Sequence, residues 1–208
     1  MKRAIFITAT DTDVGKTVFS AGLVRLLDGI YWKPVQAGLD AETDTQVVQR
    51  LAELPPERIV PEAWRLRTPA SPHVAAMRDG VRIDPMALQI PSVERPLIIE
   101  GAGGLMVPLT PETLLIDRIA QWNVPTVLCA RTRLGTINRT LLSIEAIRRR
   151  KIPLIGVAFI GERQSESESI IASLGAVRIL GCLPPLDPLT PQTLATSFRH
   201  VFRADAFL

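Results

Sequence analysis

The stretch Thr8-Ala-Thr-Asp-Thr-Asp-Val-Gly-Lys-Thr17 constrains the fold of this chain more than any other. It follows an apolar, β-branched run, Met1 to Ile7, that reads as a strand, and it precedes Val18 to Leu27, an apolar stretch of helical length. A strand, a tight loop, Gly-Lys-Thr and a helix bring free backbone N–H groups and the positive end of the helix dipole to one point, a ready cradle for phosphate. Lys16 is placed to reach terminal phosphates, and the hydroxyl of Thr17 to sit on a Mg²⁺ ion. Thr10 stands where the usual pattern has its first glycine, so the flanking strand and helix carry as much of the signal as the loop does.

The rest of the chain continues the alternation. Asp28-Gly29 closes the first helix, and Ile30 to Gln36 reads as a second strand ended by Ala37-Gly38. A helix opens among the polar residues Asp40 to Asp44 and runs to about Leu54. Residues 55–96 are irregular and rich in proline, and so long an excursion inside a compact domain points to function. Leu97-Ile-Ile-Glu-Gly-Ala-Gly-Gly104 is a buried strand ending on a carboxylate and a glycine cluster. A helix over 112–122 and a strand over 125–130 come next, and then a helix with Ile137, Leu141, Ile144 and Ile147 on one face. Strands over 152–160 and 178–183 enclose a polar helix, and a last helix spans 191–201.

Strands apolar on both faces and alternating with helices predict an α/β fold, a mainly parallel β-sheet with helices on both faces. With the phosphate loop this is a single-domain P-loop NTPase-like fold over residues 1–208. Right-handed crossovers gather the loops after the strands on one rim, which brings residues 8–17, 33–38, 100–104 and 131–138 together although they are scattered in sequence.

The 22% charged and 47% apolar residues exclude a disordered chain. No apolar run approaches the length of a membrane span, so a cytoplasmic protein without membrane attachment is expected. Cys129 and Cys182 lie in apolar strand-like runs, as small core hydrophobes suited to a reducing compartment. A net charge of +3 is too slight to argue for nucleic acid. The densest basic cluster, Arg148 to Lys151, falls at a helix end, where cations complement the dipole.

Five segments, in order, resemble the dethiobiotin synthetase family, the ATP-dependent ligases of biotin biosynthesis. They are residues 8–17, Lys33-Pro-Val-Gln36, Ala70-Ser-Pro-His73, Glu100-Gly-Ala-Gly-Gly104 with Val107-Pro-Leu109, and Leu134-Gly-Thr-Ile-Asn138. Together they cover most of residues 1–160. The resemblance implies a single P-loop ligase domain in which one amine of 7,8-diaminopelargonic acid captures CO₂ as a carbamate, attacks ATP to form a carbamic-phosphoric anhydride, and yields dethiobiotin when the second amine closes the ureido ring. It implies catalytic roles for Lys33, Lys16 and Thr12, and a nucleotide site of Asp13, Val14, Gly15, Lys16, Thr17, Val18, Asp44, Glu100, Gly101, Ala102 and Gly103, with Pro184, Pro185 and Leu186 on the base side.

The same resemblance gives Thr17, Asp44 and Glu100 to Mg²⁺, which suits hydroxyl and carboxylate oxygens. It gives the diamine Lys33, Ala37, Gly103 and Gly104, and, across a two-fold homodimer, Leu134, Gly135, Thr136 and Asn138. His73 is read as a loop-packing residue. Four positions depart from the family pattern. Ala37 replaces a usual Ser or Thr, Arg139 replaces a frequent histidine, and Ile160-Gly161 stand where adenine-selective members carry Asn-Asp. Isoleucine and glycine have no side-chain group to pair with a base edge, so CTP or GTP is expected to serve beside ATP.

A second reading is a nucleotide-switched partitioning or septum-placing ATPase acting as a binding module. Those proteins place another lysine early in the phosphate loop, where this chain has Thr10-Asp11-Thr12. A membrane-binding version would use the last helix, whose Leu194, Phe198, Val201 and Phe202 share one side; packing against the sheet is the other account of that stripe.

Overall fold

Strand β1 (Ala4–Ala9) is buried along its whole length, and its alternating side chains feed two separate cores. A computed structural model describes residues 4–207, so Met1 to Arg3 of the expected first strand lie outside the described residues. After β1 come α1 (Lys16–Leu26), β2 (Ile30–Trp32), β3 (Val35–Ala37), α2 (Asp44–Ala52), β4 (Ile59–Val60), β5 (Trp64–Leu66) and α3 (Pro72–Asp79). They are followed by β6 (Leu97–Glu100), α4 (Leu115–Trp122), β7 (Thr126–Arg131), α5 (Thr136–Arg149), β8 (Leu154–Ile160), α6 (Ser165–Leu174), β9 (Ile179–Leu183) and α7 (Pro191–Val201).

Seven strands form one sheet in the order β4-β2-β6-β1-β7-β8-β9, with every neighbouring pair parallel. The carboxyl ends of these strands therefore share one edge, where open α/β sheets form their ligand crevices. On one face Phe6, Ile99 and Leu128 pack against Ile116 and Ile119 of α4 and Ile144 and Ile147 of α5. On the other, Ile5, Ile7, Ile98 and Val127 pack against Phe19 and Leu23 of α1, Val48 and Leu51 of α2, and Phe198 of α7. Phe19 lies 5.3 Å from both Phe198 and Phe202 by ring centroids, so the apolar side of the last helix is buried against α1 in the core on this face of the sheet. Among the described residues no helix is long and apolar enough to cross a membrane. Cys129 is buried, Cys182 half-buried, and both are free thiols.

Three expectations are corrected. The strand read over Ile30 to Gln36 is two strands, because Pro34 supplies no N–H to a ladder. Its carbonyl instead accepts from Ala63 and Trp64, and β3 turns off to pair with β5 in a separate two-stranded sheet. The irregular segment 55–96 contains the edge strand β4, the strand β5 and the helix α3. In α5 the buried residues are Thr136, Thr140, Ile144 and Ile147, while Ile137 is exposed. The apolar stripe expected on that helix is thus rotated toward solvent at its amino end.

Candidate active site

The loop after β1 turns into α1 through Gly15, whose φ of 102° is a left-handed conformation that glycine adopts without penalty. The loop is held on three sides. The Thr10 N–H donates to the Cys129 carbonyl at 3.0 Å, the Arg131 guanidinium to the Thr12 carbonyl at 2.6 Å, and Arg139 to the Asp11 carboxylate at 2.6 Å. Lys16 is buried behind the loop. Burial, and next the neighbouring Lys33 ammonium, lower its pKa below the usual lysine value, against the pull of Glu100 and Asp44. Two ammonium groups so placed favour an incoming anion.

The carboxylates come from elements far apart in sequence. Glu100 ends β6 and is fully buried; Asp44 opens α2, whose start is fixed by a capping box between Thr43 and Gln46. The Gln36 side chain accepts from the Asp44 N–H at 3.2 Å, tying that helix start to β3. Lys33 leaves β2 and is 3% exposed. Its ammonium donates to the Asp44 carboxylate and to the Gly101 carbonyl at 3.2 Å, and lies 3.4 Å from Glu100 Oε1. Burial works to lower the Lys33 pKa, yet Glu100 and Asp44 outweigh it and hold the group above its usual range. Asp44 moves the other way, because Lys33 and then Thr17 outweigh its burial and keep its carboxyl below the usual value.

The Thr17 hydroxyl lies 3.1 Å from Asp44 Oδ1 and 2.9 Å from Glu100 Oε1. Three hard oxygens thus converge at the start of α1, a donor set that fits Mg²⁺ sharing its other positions with water and phosphate. Among the described residues no group of three or more His, Cys, Asp or Glu side chains is gathered to hold a metal. The second oxygen of Glu100 accepts from the buried Tyr31 hydroxyl at 2.9 Å. Burial, with the charges of Glu100 and Asp44, pushes the Tyr31 phenol well above its usual pKa, so it stays a donor.

A cavity of about 660 Å³ opens above these groups. Of the expected residues, Thr12, Asp13, Gly15, Lys16, Thr17, Lys33, Ala37, Asp44, Ala102 and Gly103 line it. Glu100 lies beneath, and Gly103 faces Thr12 at a positive φ of 62°, where a Cβ would lie 2.9 Å from Val107 Cγ2 and 3.6 Å from the threonine hydroxyl, so the position has no room for a side chain. Val14 packs into the core and Val18 lies against it. Gly101 and Gly104 lie outside the lining, and two further expected groups do not reach the cavity. Pro185 and Leu186 border a separate recess of about 420 Å³ beside α7. Leu134, Gly135 and Asn138 are exposed at the start of α5, and Thr136 is buried there against Thr140. His73 hydrogen-bonds to Ser71 at 3.1 Å and lines a different recess.

The cavity also takes in Gln36, Val107 and the turn Pro69 to Pro72, to which no role was given by sequence. A helix start was legible there: Ser71 stands at the N-cap position, its hydroxyl turned to His73, with proline at the first helical position, and Gly80 closes α3. Tyr31 was also missed, although it lies two residues before Lys33, the spacing that puts side chains on one face of a strand.

A family model described as an AAA domain matches residues 3–193. The chain is 58% identical over 208 residues to the ATP-dependent dethiobiotin synthetase BioD of Nitrobacter hamburgensis, covering 100% of this chain and 98% of that one. It is 59% identical over 207 residues to the protein of the same name from Rhodopseudomonas palustris strain BisA53, covering 100% and 97%. Among solved structures, a ParA family ATPase from Chlorobium tepidum superposes with a TM-score of 0.58 at 10% identity, over 94% of this chain and 91% of that one. That last likeness is one of fold.

Proposed function

The chain belongs to the ATP-dependent dethiobiotin synthetase family, and from that premise we propose that the 660 Å³ cavity is where 7,8-diaminopelargonic acid, CO₂ and ATP are joined. The observation that carries this reading is the meeting of two buried lysines, Lys16 and Lys33, with the Thr17, Asp44 and Glu100 oxygens at one strand edge. A carbamate approaching a triphosphate brings like charges within about 4 Å, which costs on the order of 4 kcal/mol at an effective dielectric near 20. Cations set in place beforehand offset that repulsion, and such preorganised charge dominates catalysis of phosphoryl transfer.

In this reading the N–H groups of residues 13–17 hold the phosphates and Lys16 draws charge from the transferring group. The carbamate oxygen attacks the γ-phosphorus, the bond to ADP breaks, and Lys33 steadies the anion on both sides of the transfer. The second amine then attacks the carbamate carbon, the bond from that carbon to the phosphate oxygen breaks, and inorganic phosphate leaves with the electron pair and takes up the proton that the amine gives up. A Mg²⁺ ion held by Thr17, Asp44 and Glu100 would neutralise the phosphate oxygens. Gly103 allows the diamine to approach the backbone, Gly104 lets that turn pack against the backbone of Ala9 and Asp11, and Thr12 borders the reacting atoms.

The enzyme is a homodimer in which Leu134, Gly135 and Asn138 of each subunit complete the diamine site of the other, while Thr136, buried against Thr140, holds the start of α5 in place. Exposed Leu134, Ile137 and Leu142 at one end of α5 support a covered surface there. Ile160, which packs against Gly15, and Gly161 offer the base no side-chain hydrogen bond, so CTP and GTP turn over beside ATP. Two free thiols are in keeping with a cytoplasmic enzyme.

The test is direct. The protein is incubated with diaminopelargonic acid, bicarbonate, Mg²⁺ and each nucleoside triphosphate in turn, and dethiobiotin is sought by mass. Product with ATP is expected, and comparable product with CTP supports the relaxed base site. No product with any nucleotide removes the ligase reading; strict ATP dependence removes only the base-selectivity claim.

A further inference from the structure

Glu100 has two carboxylate oxygens in different employment. Oε1 faces the cavity floor, 2.9 Å from the Thr17 hydroxyl and 3.4 Å from the Lys33 ammonium, whereas Oε2 accepts from Tyr31 at 2.9 Å. Tyr31 and Glu100 are both wholly buried. Tyr31 pairs in register with Ile98, so its ring lies on the same sheet face as the side chain of Glu100 two residues on. The ring is wedged in the core between the sheet and α1 and α2, which leaves the phenol little freedom to follow a moving carboxylate.

We propose that Tyr31 is a positioning residue for the metal: by occupying Oε2 it limits Glu100 to a single oxygen toward the ion, and so selects Mg²⁺ over Ca²⁺. The inference rests on the assignment of Glu100 to the metal made above. Mg²⁺ takes single oxygens in a tight octahedron, while Ca²⁺ favours more ligands and carboxylates that bind through both oxygens. A carboxylate pinned by a phenol provides the first arrangement and withholds the second. Groups hydrogen-bonded to a metal ligand commonly change metal affinity by about 10–100-fold when removed.

The experiment is calorimetric titration of ADP into the full-length protein with Mg²⁺, with Ca²⁺ or with chelator, for wild type, Tyr31→Phe and Glu100→Gln. In Tyr31→Phe the Mg²⁺-to-Ca²⁺ ratio of ADP affinities is expected to fall by about tenfold or more, because Mg²⁺ loses its aligned oxygen and Ca²⁺ gains a second one. A purely structural role for the ring would lower both affinities together, and an unchanged ratio overturns the proposal. If Glu100→Gln abolishes the divalent dependence while Tyr31→Phe keeps the wild-type ratio, only the role of Tyr31 fails. If Glu100→Gln leaves the dependence intact, the metal assignment fails and the inference falls with it.

Should Tyr31→Phe not fold, the wild-type protein supplies a second readout, since Tyr31 is the only tyrosine in the chain. Protein grown with 3-fluorotyrosine gives one ¹⁹F resonance. That resonance should shift when Mg²⁺ is added to the ADP complex and shift differently with Ca²⁺; identical spectra with the two ions overturn the proposal.

Discussion

Lys33 shows how much a single position can be read and where reading stops. A lysine closing an apolar strand before proline was recognisable as more than a surface cation, and it is buried. That it shares one rim with Glu100 was legible from the order of strands and crossovers, whereas its direct ion pairs with Asp44 and Glu100 were not, because no local pattern encodes the distance between side chains of different elements. Lys33→Ala is expected to lower kcat by at least about 10²-fold, as when one stabilising donor is removed from a transition state. Near-normal turnover in a folded variant would show the role to be misassigned. Asp44 supplies a pH test. Its folded pKa is depressed by Lys33, so its stabilising share is present above the ordinary carboxylate range and is lost as pH falls through the depressed value. The gap in Tm between wild type and Asp44→Asn is therefore expected to be full at neutral pH and to close below about pH 4. A gap that stays constant to about pH 3 would contradict the ion pair.

At the scale of elements, periodicity located the strands of the central sheet and the helices between them, since strands buried on both faces read as continuous apolar runs. It failed at α5. There two threonines are buried and two apolar residues, Ile137 and Leu142, are exposed, and an apolar stripe does not say whether it meets its own sheet or another chain. It also failed at β4, two residues long and hemmed by Pro55, Pro56 and Pro61, too short to register as a pattern. The contact between α1 and α7 was invisible for another reason. Gly22 is the floor under the Phe198 ring, and a Cβ there would collide with it. Gly22→Val is expected to cost about 1–3 kcal/mol by overpacking, and Phe198→Ala about 3–5 kcal/mol by leaving a cavity. Urea unfolding measures both. The double variant should lose less than the sum, and strict additivity would mean that the two helices do not meet at this point.

For the whole molecule, a sheet with all its strands parallel puts phosphate loop, lysines and carboxylates on one edge, while the start of α5 faces outward beyond the cavity. The shared site proposed above makes a quantitative prediction. Lys33→Ala and Asn138→Ala, each inactive alone, should recover about a quarter of wild-type activity when co-folded in equal amounts, because half the pairs are mixed and each mixed pair holds one intact site. Recovery of none would mean that every subunit completes its own site.

The ammonium of Lys33 between two acids has one more consequence. With the buried Lys16 beside it, two ammonium groups balance two carboxylates, so the acid pocket is neutral with no help from dissolved ions, unlike small domains that collapse when stripped of zinc. Melting in chelator should therefore match melting in magnesium buffer, with heat resistance rising only once nucleotide is added; a chelator-induced drop in Tm would mean that the fold borrows its counter-charge from solution.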